Sequence, residues 1–185
     1  SLKELMESEG YGAIEGFNGA MHFGKPAKFL IGDYQSFDKF DSLLSLREKI
    51  WATAGDDYTP GDGGFDHAAV VVFAKSLSQS EILGNLKSGN FYAMEGSNAP
   101  RIGIFTNSSS ITVTSDKLSD ITFIGREGRV LKKERNVATA AYAPNGSEIY
   151  VRTEVEAGGK KSWSQPIFVS DQSVTRIELP GRYTV

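Results

Sequence analysis

The hydrophobic pattern of this chain changes character near residue 98. Before that point, apolar residues recur at helical spacing in residues 36–49 and 78–89, which predicts two helices. The second begins with Ser78, followed three residues later by Glu81, which is the pattern of a capping box. Short apolar runs alternate with these helices, so the first part has the pattern of an α/β unit.

The apolar runs in the first part predict strands. They cover residues 11–18, Ile50–Ala54 and Ala68–Ala74. The last run is continuously apolar and β-branched, which predicts a strand covered on both faces. In α/β proteins, catalytic and binding groups usually lie at the carboxyl ends of such strands, so we expect functional groups among the residues that follow them.

After residue 98 the pattern is that of short strands separated by polar or glycine-containing turns. Asn145-Gly146 and Gly158-Gly159 are dipeptides typical of hairpins. Strands at this spacing predict a small antiparallel sandwich or barrel. The predicted strands are Ile102–Phe105, Ile111–Thr114, Ile121–Ile124, Val137–Tyr142, Ile149–Val155 and Pro166–Val169.

Composition narrows the classes of function. The chain has 185 residues, of which 23% are charged and 39% hydrophobic, as in ordinary globular proteins. A net charge of −3 gives no electrostatic reason to expect nucleic acid or an anionic membrane as a partner. The absence of cysteine excludes disulfides, thiolate metal sites and a cysteine nucleophile. With no signal peptide and no apolar run of membrane-spanning length, we expect a cytoplasmic protein.

Candidate chemistry centres on Asp56 and Asp57, which directly follow the predicted strand at 50–54. Carboxylates at the end of a strand are typical of α/β active sites, but Asp is also favoured in turns, and both interpretations stay open. Adjacent strand residues point to opposite faces, so the two carboxylates are not expected to share one substrate. Glu15 lies inside an apolar run, where it either pairs with a polar neighbour or binds a cation.

The chain has two histidines, His22 in a predicted loop and His67. Imidazole is a common metal ligand, and an ordinary surface residue is the alternative for His22. Asp66 and His67 are adjacent residues of types suited to metal binding or acid–base chemistry. His67 precedes a predicted strand, and so lies at the opposite end from that of barrel active sites.

Four stretches of the chain carry a family resemblance. They are Ala13-Ile-Glu-Gly-Phe-Asn-Gly19, Trp51-Ala-Thr-Ala-Gly-Asp-Asp57, Leu77 through Gly89-Asn-Phe-Tyr-Ala93, and Tyr150-Val-Arg-Thr-Glu-Val155 with Lys161-Ser-Trp-Ser-Gln-Pro-Ile-Phe-Val169. Together they resemble the carboxyl-terminal part of the PHP (polymerase and histidinol phosphatase) superfamily of metal-dependent phosphoesterases. The resemblance spans about residues 10–170.

The resemblance implies a barrel that holds divalent metals (Mn, Zn or Fe) and hydrolyses a phosphorylated small molecule with metal-bound water. The implied metal-site residues are Asp57, Asp56 and Glu15, and the implied cleft-lining residues are Asn18, Thr59 and His22. No catalytic residue and no residue for another cofactor is assigned. Thr59 stands where the family's Asp-x-His motif has its histidine, and the family's opening His-x-His is absent.

With this resemblance, we predict the α+β class: a partial (β/α)-barrel-like α/β unit followed by a small antiparallel β-sandwich. The predicted domains are residues 1–97 and 98–171, and residues 172–185 are predicted to be a tail or an edge strand. A partial barrel would expose strand edges. Three alternatives follow: a homodimer formed by pairing with a second copy, opening into a sheet, or packing on the β-domain.

Two hypotheses about function stay open. The chain begins Ser1-Leu2 without Met, so we expect a fragment of a PHP-like phosphoesterase, inactive alone, whose upstream part carries the missing histidines. Alternatively, the lineage has lost its metals and is a non-catalytic module whose β-sandwich binds a protein or a carbohydrate. A His-x-His motif encoded before residue 1 would support the first hypothesis, and its absence the second.

Overall fold

The computed structural model describes residues 1–20, 35–46, 48–58, 60, 65–170 and 173–174. The helices in these ranges are α1 (Leu2–Glu7), α2 (Phe37–Ser45) and α3 (Gln79–Ser88). The strands are β1 (Ala13–Asn18), β2 (Trp51–Gly55), β3 (Ala69–Val72), β4 (Phe91–Met94), β5 (Ile102–Thr106), β6 (Ile111–Gly125), β7 (Arg129–Tyr142), β8 (Tyr150–Ala157), β9 (Lys160–Ser164), β10 (Ile167–Ser170) and β11 (Ser173–Val174). The structure is thus mostly antiparallel β-sheet with few helices. None of the helices in the described ranges has both the length and the apolar character that a membrane span requires.

β1 and β2 form a two-stranded parallel sheet, with α2 between them in sequence. The buried apolar residues of α2 are Phe37, Phe40, Leu43 and Leu44, which is the face that the helical spacing predicted. The helix ends at Ser45, earlier than predicted, and the strand after it starts at Trp51. This strand–helix–strand order sets the carboxyl ends of β1 and β2 side by side.

The larger sheet runs β11-β10-β8-β9-β4-β3, and β6 pairs with β5, β7 and β8. Its pairs are antiparallel. β4 lies between β3 and β9, with Tyr92 opposite Ser164, so this sheet contains strands from both sides of residue 97. The division into domains 1–97 and 98–171 remains a prediction.

Two strand predictions are wrong in detail. The run 68–74 does not form a strand covered on both faces: β3 lies at the end of the sheet, and all four of its residues are partly exposed. Ile111–Thr114 and Ile121–Ile124 are not separate strands, because both belong to the single strand β6. Its polar middle had indicated a turn, but residues 115–118 form a bulge that has no partner in the β7 register.

The two predicted hairpins have different outcomes. Gly158 and Gly159 form the β8–β9 turn with φ values of 58° and 74°, a conformation that glycine adopts at no steric cost. Asn145-Gly146 lies between β7 and β8, which both pair with β6 and not with one another in the described register. Glu148 fixes that loop instead, because its carboxylate accepts hydrogen bonds from the backbone N–H groups of Asn145 and Gly146.

The helix α3 has half of the predicted capping box. The Ser78 hydroxyl accepts the backbone N–H of Glu81 at 3.3 Å, as predicted. The Glu81 carboxylate accepts the backbone N–H of Lys75 at 3.0 Å, which lies upstream of the cap. The helix ends at Gly89, which has a φ of 75° and contacts Trp51.

Trp163 joins the parallel pair to the larger sheet. Its side chain is fully buried, and its ring lies 5.3 Å from Phe17 on β1 and 4.8 Å from Phe37 on α2. Offset aromatic contacts of this kind stabilise a core beyond the area that they bury. The sequence interpretation missed its strand, β9, because Lys160–Ser164 is mostly polar.

A buried ion pair also joins α2 to the larger sheet. Arg152 on β8 donates from Nε and Nη2 to the two carboxylate oxygens of Asp41, at 2.7 and 2.6 Å. Tyr150 donates its hydroxyl to Asp41 Oδ1 at 2.8 Å, and burial together with the Asp41 carboxylate raises the pKa of this tyrosine. The Arg152 guanidinium lies over the Phe37 ring at 5.2 Å.

Gln165 pairs with the backbone of β2. Its Nε2 donates to the Ala52 carbonyl at 2.7 Å, and its Oε1 accepts the Ala52 N–H at 2.9 Å. These are the two hydrogen bonds that a neighbouring strand would make. The side chain therefore satisfies the edge of β2 that faces away from β1.

Candidate functional site

The candidate site lies at the carboxyl ends of β1 and β2, where one side-chain amide contacts two carboxylates. Asn18 Nδ2 lies 3.0 Å from Glu15 Oε2 and 3.3 Å from Asp57 Oδ2. Asn18 is buried, whereas Glu15 and Asp57 are exposed. The two bonded carboxylate oxygens are therefore at most 6.3 Å apart, the sum of these distances.

A β-bulge places Glu15 and Asn18 on one side of β1. Glu15 pairs with Thr53, but Phe17 pairs with the next residue, Ala54, so Gly16 is an extra residue in β1. In a regular strand, residues three apart point to opposite faces. The bulge removes this alternation, and bulges beside active sites commonly redirect a side chain in this way.

Phe37 and Ala52 leave no space for a side chain at the bulge. A Cβ atom added at Gly16 would lie 2.8 Å from the Phe37 ring and 3.3 Å from the Ala52 Cβ. The Gly16 carbonyl accepts the backbone N–H of Ser36 at 2.9 Å, which fixes the bulge from the other edge of β1. The bulge is thus a feature of the packed structure, and the position requires glycine.

Asp57 lies just after β2, and its side chain contacts Asn18. Its backbone has a φ of 49°, a left-handed conformation that Asp tolerates better than most residues. Within the described part of the chain, the second oxygen of Asp57 and that of Glu15 accept no hydrogen bond. Each carboxylate therefore retains an exposed acceptor.

Asp56 contacts a different part of the structure. Its Oδ1 accepts the backbone N–H groups of His67 and Ala68, both at 2.7 Å, and its Oδ2 accepts that of Asp66 at 2.8 Å. Desolvation raises the pKa of Asp56, but these three donors outweigh it and hold the pKa below its ordinary value. Because both oxygens are engaged, Asp56 holds residues 66–68, just before β3, next to the end of β2.

The predicted site residues are thus partly brought together. Glu15, Asn18 and Asp57 form one cluster, and Asp56 lies next to it with other partners. His22 and Thr59, the two remaining cleft candidates, lie outside the described residues. Among the described residues, no group of three or more His, Asp or Glu side chains could hold a metal ion, so Glu15 and Asp57 would supply part of a coordination shell.

His67 lies closer to this edge than its place in the sequence suggested. A Cβ atom added at Gly19, just after β1, would lie 2.7 Å from the His67 Cβ. The His67 backbone N–H also contacts Asp56. His67 precedes β3, but the loop from β2 brings that end of β3 to the carboxyl ends of β1 and β2.

Tyr58 and Phe65 were not identified from the sequence. Their side chains are 54% and 76% exposed, and their ring centroids are 6.5 Å apart at an interplanar angle of 86°. In sequence they flank residues 59–64, which include three glycines. Aromatic residues on both sides of this glycine-rich stretch of sequence were the available signal.

We compared the chain with known proteins, and neither a protein-family model nor a curated protein nor a solved structure matches it.

Proposed function

We propose that this chain is the carboxyl-terminal part of a PHP-like, metal-dependent phosphoesterase. On this proposal, its α/β unit is part of a (β/α) barrel, and a phosphorylated small molecule is the substrate. Glu15 and Asp57 would be ligands of a divalent metal, and Asn18 would hold them in position. The observation that carries the proposal is the contact of one buried amide with both carboxylates at the ends of two parallel strands.

The chemistry of the donors fits a divalent cation. Carboxylate oxygens suit Mn²⁺ and similar hard cations. Glu15 and Asp57 are both exposed, and one oxygen of each accepts no hydrogen bond from the described residues. A buried outer partner such as Asn18 is typical of metal sites, where it fixes the orientation of the ligands. Asp56 fits this role less well, because three backbone N–H groups already occupy its oxygens.

A metal bound there would lower the pKa of a bound water molecule and offset the charge that develops on phosphoryl oxygens. The chain's own contribution is to hold two carboxylates at a fixed separation. Asn18 does so through its amide, and the Gly16 bulge does so by aligning Glu15 with Asn18. These residues provide part of a site, and the chain alone is proposed to be inactive.

The proposal is tested by titrating Mn²⁺ into the chain in a calorimeter. We expect Asp57→Asn to weaken binding by at least about tenfold, since it removes one charged ligand. The matched control is Asp38→Asn, which removes an exposed carboxylate from the first turn of α2. Absence of Mn²⁺ binding, or equal binding by both variants and the original chain, would overturn the proposal. Hydrolysis of 4-nitrophenyl phosphate by the same samples reports whether any turnover accompanies binding.

A groove in the larger sheet favours a second candidate, the non-catalytic binding module. Apolar side chains line most of this shallow, open groove, and they include Phe73, Phe91, Ile104 and Ile167. Grooves of this character accept side chains of a protein partner. Failure of the Mn²⁺ titration would direct attention to this surface.

A further inference from the structure

The Tyr58 and Phe65 rings form an exposed aromatic pair, hereafter the aromatic pair, beside the candidate site. Phe65 is 76% exposed and Tyr58 is 54% exposed, whereas most aromatic side chains bury their rings. The rings contact each other edge to face. Tyr58 directly follows Asp57, and Phe65 directly precedes Asp66, whose backbone N–H contacts Asp56, so both rings are attached next to residues that contact the end of β2.

Hydrogen bonds hold the backbone next to Phe65. The residue after Phe65 is Asp66, whose backbone N–H donates to Asp56 at 2.8 Å. The carboxylate of Asp66 in turn accepts the backbone N–H and the hydroxyl of Ser97. Because Asp56 follows β2 and Ser97 follows β4, the ends of both strands hold the chain at Asp66. This anchors Phe65 near the residues that follow β2.

We propose that the aromatic pair binds a planar aromatic group of the substrate, so that the substrate is an aryl or heteroaryl phosphate ester. This inference rests on the function proposed above, since the metal would hold the phosphate. The two parts of such a ligand match the two parts of the surface. The carboxylates and their metal recognise the charged ester, and the uncharged rings recognise its aromatic substituent.

The area of the aromatic pair fits a small molecule better than a second protein chain. One aromatic side chain buries about 150–250 Å² when it is covered. A stable protein interface needs about 800 Å² from each partner, which two rings cannot supply. One aromatic ring of a ligand needs far less, and stacking on an aromatic side chain is favourable for any planar ring.

The test compares phenyl phosphate with cyclohexyl phosphate, which differ in aromatic character but are of similar size. Both are titrated into the Mn²⁺-loaded chain by calorimetry. We expect phenyl phosphate to bind about tenfold more tightly, as one stacking contact predicts. Tyr58→Ala and Phe65→Ala should each remove this preference, and Tyr58→Phe should keep it. The control is Phe105→Ala, which removes an exposed aromatic residue from β5.

Equal affinity for the two esters, or a preference that survives both alanine variants, would overturn the inference. The Mn²⁺ titration separates this failure from that of the proposed function. If Mn²⁺ binds through Asp57 but neither ester binds, the aromatic pair does not bind the substrate, and only the proposed metal site is supported. If Mn²⁺ does not bind, both esters are titrated without metal. Preferential binding of phenyl phosphate that both alanine variants abolish would then support binding of an aromatic group by the aromatic pair. No preference for phenyl phosphate would overturn both proposals.

Discussion

Gln165 and Ala52 are 113 positions apart in sequence, yet the amide side chain of one forms both strand-type hydrogen bonds with the backbone of the other. Both residues are buried. A side chain thus completes the parallel pair on the side where a third strand would lie. The contact fixes the β1–β2 sheet, and with it the candidate site, to the segment between β9 and β10.

Replacing Gln165 by Leu should destabilise the protein strongly. The substitution leaves the N–H and carbonyl of Ala52 buried without partners, and each such group costs about 1–3 kcal/mol. We expect the free energy of unfolding, measured in urea, to fall by about 3 kcal/mol. Gln79→Leu, at an exposed position of α3, should change it by less than about 0.5 kcal/mol. A loss below about 1 kcal/mol for Gln165→Leu would show that water replaces the side chain.

Breaking the Asp41–Arg152 pair from one side should cost more than removing both charges. Asp41→Ala leaves the guanidinium buried and unpaired, and we expect the free energy of unfolding to fall by about 3–5 kcal/mol. The double substitution Asp41→Leu, Arg152→Met should lose less, because no buried charge remains. Glu7→Ala, which removes the exposed Lys3–Glu7 pair, serves as the control and should cost less than about 1 kcal/mol. A double variant as unstable as the single one would contradict this account.

Gly16→Ala should disturb both stability and metal binding. The added methyl group would lie 2.8 Å from the Phe37 ring, so either Phe37 or the bulge must move, at a cost of about 1–3 kcal/mol. Because the bulge aligns Glu15 with Asn18, we expect the Mn²⁺ affinity of the folded variant to fall about tenfold. Gly12→Ala is the matched control, since its Cβ would have no neighbour within 4 Å. Unchanged Mn²⁺ affinity in Gly16→Ala would show that the bulge does not set the site.

The sequence was sufficient for the elements whose residues carry their own periodic signal. The helix over 36–49 and the strand after it follow from local spacing, and Asp57 was identified because it ends that strand. The pairing of Asn18 with both carboxylates could not be predicted, because it depends on an extra residue, Gly16, that a period-two pattern cannot reveal. The sequence likewise gave no sign that Asp56 binds backbone N–H groups ten or more residues away.

The strands that escaped prediction are those whose burial comes from distant partners. Lys160–Ser164 is polar by composition, but Trp163 is buried against Phe17 and Phe37, and Ser162 is buried with its hydroxyl bonded to the Pro100 carbonyl. The continuous apolar run at 68–74 suggested a central strand, yet β3 lies at a sheet edge. In both cases tertiary contacts, which no local pattern encodes, decided the outcome.

Protonation of Asp56 should release the base of the loop that carries the aromatic pair. Its pKa lies below the ordinary value of 3.8 in the folded protein. The stabilisation is therefore complete above that ordinary value and is lost as the pH falls through the lower folded pKa. We expect hydrogen-exchange protection of the His67 and Ala68 amides to be constant from pH 7 to about 4 and to fall below that range.

Two variants check the assignment to Asp56. Asp56→Asn should lower the protection of these amides at neutral pH, because an amide cannot accept with both of its heavy atoms. Asp57→Asn should leave the protection unchanged, since Asp57 contacts Asn18 instead. Loss of protection already above about pH 5 would indicate that another group controls the loop.

The position of Trp163 also affects synthesis of the protein. Phe17 and Phe37, which its ring covers, leave the ribosome more than a hundred residues earlier. At about 5–20 residues per second, Trp163 is synthesised roughly 6–30 s after these two rings. During that interval the nascent chain carries an unfinished core, with the edge of β2 still lacking Gln165. Chaperones that bind exposed aromatic surface could therefore contact the earlier part of this chain before β9 packs against it.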